Sequence, residues 1–236
     1  MDKNDIVQLF SLKDIHIDEE KANKFLIYKN LIQEYNKFMD LTAVDDDIGI
    51  INRHFLDSLS ILKYTDFIDF KKIIDVGTGA GFPAIPLAIY FNNIEFVAVD
   101  SLNKRIEFLK VVLEKANIKN VKVIHSRAED LARDIKYREK FDACVSRAVA
   151  SLNILAEYSL PFLKNGGKMI SLKSNNISEE LLNAEKAFKL LNSKVVNVID
   201  YIDACDIDRK IVIIEKFDKI DKKYPRKAGI AKKMPL

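Results

Sequence analysis

Residues Ile73-Ile-Asp-Val-Gly-Thr-Gly-Ala-Gly-Phe-Pro83, followed by Glu95-Phe-Val-Ala-Val-Asp100, decide the fold class. An apolar run ends in glycines, a helical stretch follows, and a second apolar run closes on an acid. Gly77, Gly79 and Gly81 let the chain leave a strand, turn sharply and approach a ligand closely, because no Cβ obstructs positive φ or contact. Asp100 has oxygens to accept hydrogen bonds from both hydroxyls of a ribose. Strand, turn, helix, strand and acid in this order supply both ends of a nucleoside-cofactor site. The competing reading is an ordinary glycine-rich turn with a surface aspartate.

The spacing also discriminates between cofactors. A dinucleotide fingerprint is Gly-x-Gly-x-x-Gly, with a pyrophosphate at the helix N-terminus. Here the series is Gly-x-Gly-x-Gly, and Phe82 and Pro83 follow. Pro83 suits a first helical turn, where no amide donor is needed. A bulky Phe82 leaves less room for a diphosphate, which favours S-adenosyl-L-methionine over NAD.

Composition sets the class. The 236 residues are long enough for one large α/β domain with a helical extension. Only two cysteines and three histidines are present, without a Cys-x-x-Cys, so neither a zinc site nor a disulfide framework is expected. The start, Met-Asp-Lys-Asn-Asp, has no signal-peptide pattern, and no apolar stretch is long enough for a membrane span, so a cytoplasmic protein is expected. The net charge is +3, yet residues 222–236 hold six basic side chains and no acid, which leaves the rest mildly acidic. Such a tail is an electrostatic footprint for nucleic acid, or else a solvated end.

Periodicity divides the chain at about residue 65. Before it, apolar residues at steps of three and four predict helices over Asp18–Asp40, with Asp18 as N-cap, and over Asp47–Tyr64. After it, strand-like runs at Lys72–Val76, Glu95–Asp100, Val121–His125, Phe141–Ser146, Lys168–Leu172, Val195–Tyr201 and Arg209–Phe217 alternate with helical stretches. The helical stretches are Ala84–Phe91, Lys104–Ala116, Leu152–Leu163 and Ser178–Leu191. Alternation predicts a parallel sheet with helices on both faces. The last two runs are joined too closely for a helical crossover, so they must pair antiparallel. The expected architecture is a helical extension over 1–65 and an α/β domain over 66–236, whose seven-stranded, mostly parallel sheet ends in an antiparallel strand. That is the layout of Rossmann-like, class I S-adenosylmethionine-dependent methyltransferases.

Ligands of such sheets sit beyond the carboxyl ends of the strands. The residues there include Asp75, Gly77, Asp100, Ser126 to Asp130, Ser146, Arg147, Lys173 and Ser174. Ala128-Glu129 resembles the segment whose backbone meets an adenine edge, although Glu129 also reads as a helix N-terminal charge. Arg147, set in apolar surroundings, needs a partner: the cofactor carboxylate, an RNA phosphate, Asp75 or a structural acid. His54 and Asp57 share a helix face and read more readily as a satisfied pair than as a catalytic one. No Asp/Asn-Pro-Pro-Tyr follows the fourth strand and no cysteine nucleophile is placed for a pyrimidine C5, which leaves a ring nitrogen such as purine N7 as acceptor. Alignment and electrostatics suffice for that acceptor, without a general base.

The segments Leu41-Thr-Ala43, Arg53-His-Phe-Leu-Asp-Ser-Leu59, Asp75–Pro83, Asp100-Ser-Leu-Asn-Lys-Arg105, Arg127-Ala-Glu129, Ser146-Arg-Ala-Val149 and Tyr224-Pro-Arg-Lys-Ala-Gly229 span nearly the whole chain. Together they resemble the ribosomal small-subunit methyltransferase G family, also called glucose-inhibited division protein B. One departure is Asp40, where the family pattern has asparagine. The resemblance implies methyl transfer from S-adenosyl-L-methionine to N7 of a guanine in bacterial 16S ribosomal RNA, by a monomer acting on the RNA or the small subunit. It implies cofactor contacts from Gly77, Phe82, Ala128, Glu129 and Arg147, which join Gly79, Gly81 and Asp100 from the reading of the turn. Arg147 and Lys173 become the catalytic candidates, and Lys173, Arg226 and Lys227 the RNA contacts, with no metal. Two alternatives carry different expectations: an NAD-dependent oxidoreductase requires a sixth-position glycine, and a non-catalytic RNA-binding protein gives no reason for an intact cofactor loop.

Overall fold

The computed structural model of the chain describes residues 1–67 and 69–236. Strands β1 (Lys72–Val76), β2 (Glu95–Asp100), β3 (Val121–His125), β4 (Phe141–Arg147), β5 (Leu163–Ser174), β6 (Ser193–Ile202) and β7 (Asp208–Lys216) form one sheet. Their order is β3-β2-β1-β4-β5-β7-β6. The pairs among β1 to β5 are parallel, and β7 runs antiparallel to both of its neighbours. The expected seven-stranded sheet with one late antiparallel strand is therefore present.

Successive side chains of a strand point to opposite faces. Ile73, Phe96, Ala98, Ala143, Val145, Ile170, Ile211 and Ile213 join one buried layer. Their neighbours Ile74, Val97, Val99, Cys144, Met169, Val212 and Ile214 join the other. Helices α5 (Ala84–Tyr90) and α6 (Asn103–Lys115) cover the first layer. Helices α7 (Ala128–Leu131), α8 (Leu152–Ser159) and α9 (Ser178–Leu190) cover the second.

The N-terminal helices α1 (Lys3–Ser11) and α2 (Glu19–Met39) share the first layer, through Phe10, Phe25, Tyr28 and Ile32. As expected, Asp18 caps α2, accepting from Lys21 N at 2.8 Å. Asp40 ends α2 in the left-handed region, φ 49°. Asparagine and aspartate both tolerate that conformation, so the departure at this position keeps the backbone role of a helix C-cap.

The second N-terminal helix differs from its expected form. After α3 (Asp47–Ile50) the chain widens into a π-helix over Ile51–Leu56, then continues as α4 (Asp57–Leu59) and a 3₁₀ turn, Ser60–Lys63. Asp57 N bonds back five residues to Asn52 O. Residue periodicity does not signal such a widening, because apolar steps of three and four persist through it. Similarly, α8 stops at Ser159, a 3₁₀ turn carrying Pro161 follows, and β5 starts five residues earlier than its apolar core.

β1 lies between β2 and β4, and the chain leaves toward β3 before returning to β4. This is the switch point where open α/β sheets leave a crevice beyond the strand ends. The turn after β1 and the end of β4 both border it.

The basic tail is neither detached nor unstructured. It ends in α10 (Ile230–Lys233), and Tyr224 and Ala231 are buried. Arg133 and Arg138 donate to the carbonyls of Pro225 and Tyr224, at 2.7 and 2.8 Å. Arg226 closes on the fully buried Glu157 of α8, with Nε–Oε1 at 2.9 Å and Nη2–Oε2 at 2.7 Å. Among the described residues no helix is long and apolar enough to cross a membrane. Removing one partner of a buried pair leaves the other charge uncompensated. Arg226→Ala should therefore lower unfolding stability by about 3 kcal/mol in urea titration, and amide exchange should show residues 222–236 released.

Candidate active site

The glycine turn is built from both sides. Gly77, Gly79 and Gly81 adopt φ of 73°, 62° and 107°, the region that disfavours any side chain. Their surroundings differ. A Cβ on Gly77 would meet Val149 Cγ1 at 2.9 Å, whereas one on Gly79 would meet nothing within 4 Å. One on Gly81 would strike Ile85, Tyr28 Oη and Leu109 at 2.6–2.9 Å. Gly79 alone therefore faces open space, and Gly81 serves helix packing. Of the three glycines expected to make room for a ligand, Gly79 is the one with open space in the Cβ direction.

Asp100 sits beside the turn at the end of β2, almost wholly buried. Its Oδ2 accepts from Gly79 N at 2.9 Å and lies 3.3 Å from Arg105 Nη1, and its Oδ1 accepts from Leu102 N at 2.9 Å. It thus fixes the turn it was expected to complement. Beneath lies Asp75, fully buried at the end of β1. Its Oδ2 accepts from Thr78 Oγ1 at 2.7 Å and Ala84 N at 3.2 Å, while Oδ1 has no partner among the described residues. Burial raises its pKa from 3.8 to about 7, against the opposing pull of those hydrogen bonds and of Arg147. A buried carboxyl oxygen without a partner carries a desolvation cost, the pattern that clusters at functional sites.

Phe82 does not crowd the turn as expected. It is buried against the N-terminal layer, its ring 4.5 Å from that of His54 and 5.7 Å from that of Tyr28. On it lies Arg147, whose guanidinium carbon is 4.7 Å from the ring centroid. Arg147 Nη1 donates to Arg53 O at 2.8 Å and to Asp57 Oδ2 at 3.0 Å, and Nη2 lies 3.1 Å from His54 Nδ1. Its partner is therefore Asp57, not Asp75. His54 and Asp57 do share a face, but they meet at Arg147 rather than forming a closed pair.

A pocket of about 520 Å³ opens beyond β4 and β5, walled by Arg53, Arg147, Val149, Lys173, Tyr201 and Arg209 among others. Val149 also abuts Gly77, so the pocket and the glycine turn adjoin. Lys173 donates to Ala150 O at 2.6 Å and pairs with Glu180 Oε2 at 2.8 Å. With its side chain only 7% exposed, it shapes the wall instead of reaching outward. Arg53, Tyr201 and Arg209 were not anticipated; Tyr201 and Arg209 reach the site from the antiparallel hairpin, far away in sequence.

Ala128 and Glu129 open α7 and are buried. Glu129 Oε1 accepts from Gly229 N of the tail at 2.9 Å, so the segment expected at an adenine edge also anchors the C-terminus. Arg226, one of the expected RNA contacts, is paired with Glu157, its side chain 23% exposed. Lys227 is exposed. No group of three His, Cys, Asp or Glu side chains suited to a metal occurs among the described residues.

The sheet order, the glycine turn and the acid after β2 define a class, the Rossmann-like S-adenosylmethionine-dependent methyltransferases. Solved structures of similar shape agree. An O-methyltransferase from Bacillus cereus, in complex with SAH, is 18% identical with a TM-score of 0.60 over 89% of this chain and 97% of that one. The M. jannaschii TYW2 structure, in complex with AdoMet, is 17% identical with a TM-score of 0.52 over 70% of this chain and 77% of that one.

Within the class the sequence is specific. The model of the rRNA small subunit methyltransferase G family matches residues 21–212. Proteins named ribosomal RNA small subunit methyltransferase G are 46% identical in Clostridium tetani, over 94% of this chain and 93% of that protein, and 44% identical in Clostridium botulinum strain 657, over 94% and 95%. The chain belongs to the rRNA small subunit methyltransferase G family. Neither the oxidoreductase nor the non-catalytic alternative is supported.

The two glycine environments make a paired prediction. Gly81→Ala should cost roughly 2–4 kcal/mol of stability, from strained φ and overpacking together. Gly79→Ala should cost about 1 kcal/mol, from the left-handed backbone alone. Chemical denaturation of the two variants checks the difference.

Proposed function

We propose that this chain transfers a methyl group from S-adenosyl-L-methionine to N7 of a guanine in 16S ribosomal RNA, as a monomer in the cytoplasm. One observation carries the reading: the glycine turn and the cationic pocket share a wall, through Gly77 against Val149 and Phe82 against Arg147. A nucleoside cofactor in the turn and a nucleotide in the pocket would then meet at that wall.

The residues fit the cofactor. Gly79 leaves room for its close approach, Asp100 retains acceptor capacity for ribose hydroxyls, and Asp75 Oδ1 would receive its α-ammonium group. The backbone of Ala128 and Glu129 would meet the adenine. When bound, S-adenosyl-L-methionine supplies an electrophilic methyl group on a cationic sulfur.

The acceptor chemistry suits what the chain offers. Guanine N7 carries a lone pair and no proton, so no residue has to act as a base. His54 is poorly suited to be one, since burial first, and then the charge of Arg147, lower its pKa from 6.5 to about 4. Catalysis rests on orientation and on placed N–H donors. Arg147 and Lys173 are two of the cations at the pocket wall, and both retain N–H bonds for a nucleotide oxygen after their protein contacts. Farther out, the exposed Lys227, Lys232 and Lys233 on the docked tail would meet phosphates.

Mass mapping of modified nucleosides in 16S RNA, with and without the chain, tests the reaction; loss of one 7-methylguanosine is expected. Calorimetry tests the cofactor, with S-adenosyl-L-methionine bound and NAD not. Neutralising Lys227, Lys232 and Lys233 together should reduce the salt slope of RNA binding by about 2–3.

Asp75 gives a signed pH prediction. Its folded pKa, about 7, lies above the ordinary 3.8, so protonation favours the folded state. That stabilisation is complete below pH 3.8 and is lost as pH rises through about 7. Asp75→Asn cannot ionise. It should therefore gain stability relative to the parent between about pH 5 and pH 8, on the order of 2 kcal/mol in thermal unfolding, while losing cofactor affinity.

A further inference from the structure

The seam between the N-terminal layer and the sheet contains more organisation than an ion pair requires. Asp57 stands one residue past the π-helix, with its side chain 9% exposed. Its two oxygens serve two different strands: Oδ2 accepts from Arg147 of β4 at 3.0 Å, and Oδ1 accepts from Tyr201 of β6 at 2.9 Å. His54 Nδ1 lies 3.1 Å from both Arg147 Nη2, which can only donate, and the Arg53 carbonyl, which can only accept; Nδ1 is assigned as the acceptor of the Arg147 bond. Its Nε2–H then donates to Thr42 Oγ1, 2.6 Å away.

Arg147 is thus held on three sides by Asp57, His54 and the Arg53 carbonyl, and from below by the Phe82 ring. These contacts use three of its five N–H bonds. The remaining two, on Nε and Nη2, have no acceptor among the described residues. Arg147, His54, Asp57 and Tyr201 all line the same pocket.

We propose that Asp57, His54 and Tyr201 are positioning residues that fix the Arg147 guanidinium against Phe82 so that its two unused donors face the acceptor nucleotide. The N-terminal helices and the antiparallel hairpin then complete the site, although neither belongs to the strand ends that hold the cofactor. This inference rests on the pocket being the place of methyl transfer. The protonation states suit it. His54 is neutral near pH 7, its pKa lowered by burial and then by the charge of Arg147, against the opposing pull of the Arg53 carbonyl. Tyr201 remains a donor, since burial and then the charge of Asp57 push its pKa well up.

The test is a double-mutant cycle in the full chain, on the methyl acceptor identified by mass mapping. Calorimetry of the parent with S-adenosyl-L-methionine comes first and bears on the cofactor site alone. Tyr201→Phe deletes one hydroxyl and keeps the ring, so it should fold; its kcat should fall about 10-fold, and that of Asp57→Asn about 100-fold, the scale of a small misplacement of a reacting group. Cofactor affinity should change less than about 3-fold in both. Adding Asp57→Asn to Arg147→Lys should cost less than about 3-fold further, because the guanidinium it positions is already gone.

Full multiplication of the two losses would assign Asp57 a separate structural role and overturn the proposal. So would an unchanged kcat in both single variants. Imidazole nitrogen shifts give a readout independent of turnover: at pH 7, His54 Nδ1 should read as an unprotonated acceptor bonded to Arg147, and lose that bond in Asp57→Asn. A bond that persists there would also overturn the proposal, even if the parent proved to methylate a different acceptor.

Discussion

The pairing of Arg147 with Asp57 over the face of Phe82 is the contact through which the separate parts of this molecule become one site. A guanidinium at the end of β4, with its side chain 15% exposed, is costly without a partner. Its partner comes from outside the sheet, from the short helix after the π turn. That requirement draws the N-terminal helices onto the face of α5 and α6, where Tyr28 donates to Ala80 O inside the glycine turn at 2.5 Å. It also draws in the antiparallel hairpin through Tyr201. The aromatic rings of Phe10, Phe25, Phe55, Tyr28 and Phe82 run continuously from the first helix to the turn. Apolar burial supplies most of the adhesion, and the ion pair sets the register at which the layers meet.

The sheet is readable in the sequence because each strand is a short apolar run closed by turn residues, and because a seven-residue connector leaves antiparallel pairing as the only possibility for β6 and β7. The turn is readable because positive φ at successive positions demands glycine. Its internal division of labour is not. Gly79 facing space and Gly81 facing Tyr28 look alike in one dimension, since Tyr28 lies more than fifty residues away. Phe82 illustrates the same gap: its bulk reads as a limit on cofactor size, yet its ring is turned toward His54 and carries Arg147. Long-range partners of charged groups, Asp57 for Arg147 and Glu157 for Arg226, carry no periodic signature at all. A clue exists in the Asp57 case, in the three-residue spacing to His54, but spacing cannot reveal that two side chains converge on a third.

The C-terminal segment shows how a charge count misleads without geometry. Six basic residues in fifteen suggest a mobile arm. In the fold, Arg226 is occupied by Glu157, the backbone of Gly229 is held by Glu129, and Arg133 and Arg138 grip the carbonyls of Pro225 and Tyr224. The remaining lysines are therefore presented from a fixed platform, which lowers the entropic cost of meeting a phosphate backbone compared with a free tail. Through Glu129, that platform is joined to the start of α7, just beyond β3.

Charge is divided within the crevice as well. Asp75 and Asp100 lie on the side of the glycine turn, Arg147 and Lys173 on the side of the pocket. Transfer of a methyl group from a sulfonium to a ring nitrogen moves a positive charge across that boundary, from the acidic side to the basic one. Two cations facing the product nucleotide would oppose this unless their own charge were already neutralised. In the structure it is: Arg147 is paired with Asp57, and Lys173 with Glu180 at 2.8 Å. Both side chains thus offer directed N–H donors while contributing little net field at the acceptor. Asp75 is the contrasting case: burial raises its pKa to about 7, and its Oδ1 has no partner among the described residues. The buried pairs and the protonatable carboxyl are two ways of keeping uncompensated fixed charge out of a buried polar site.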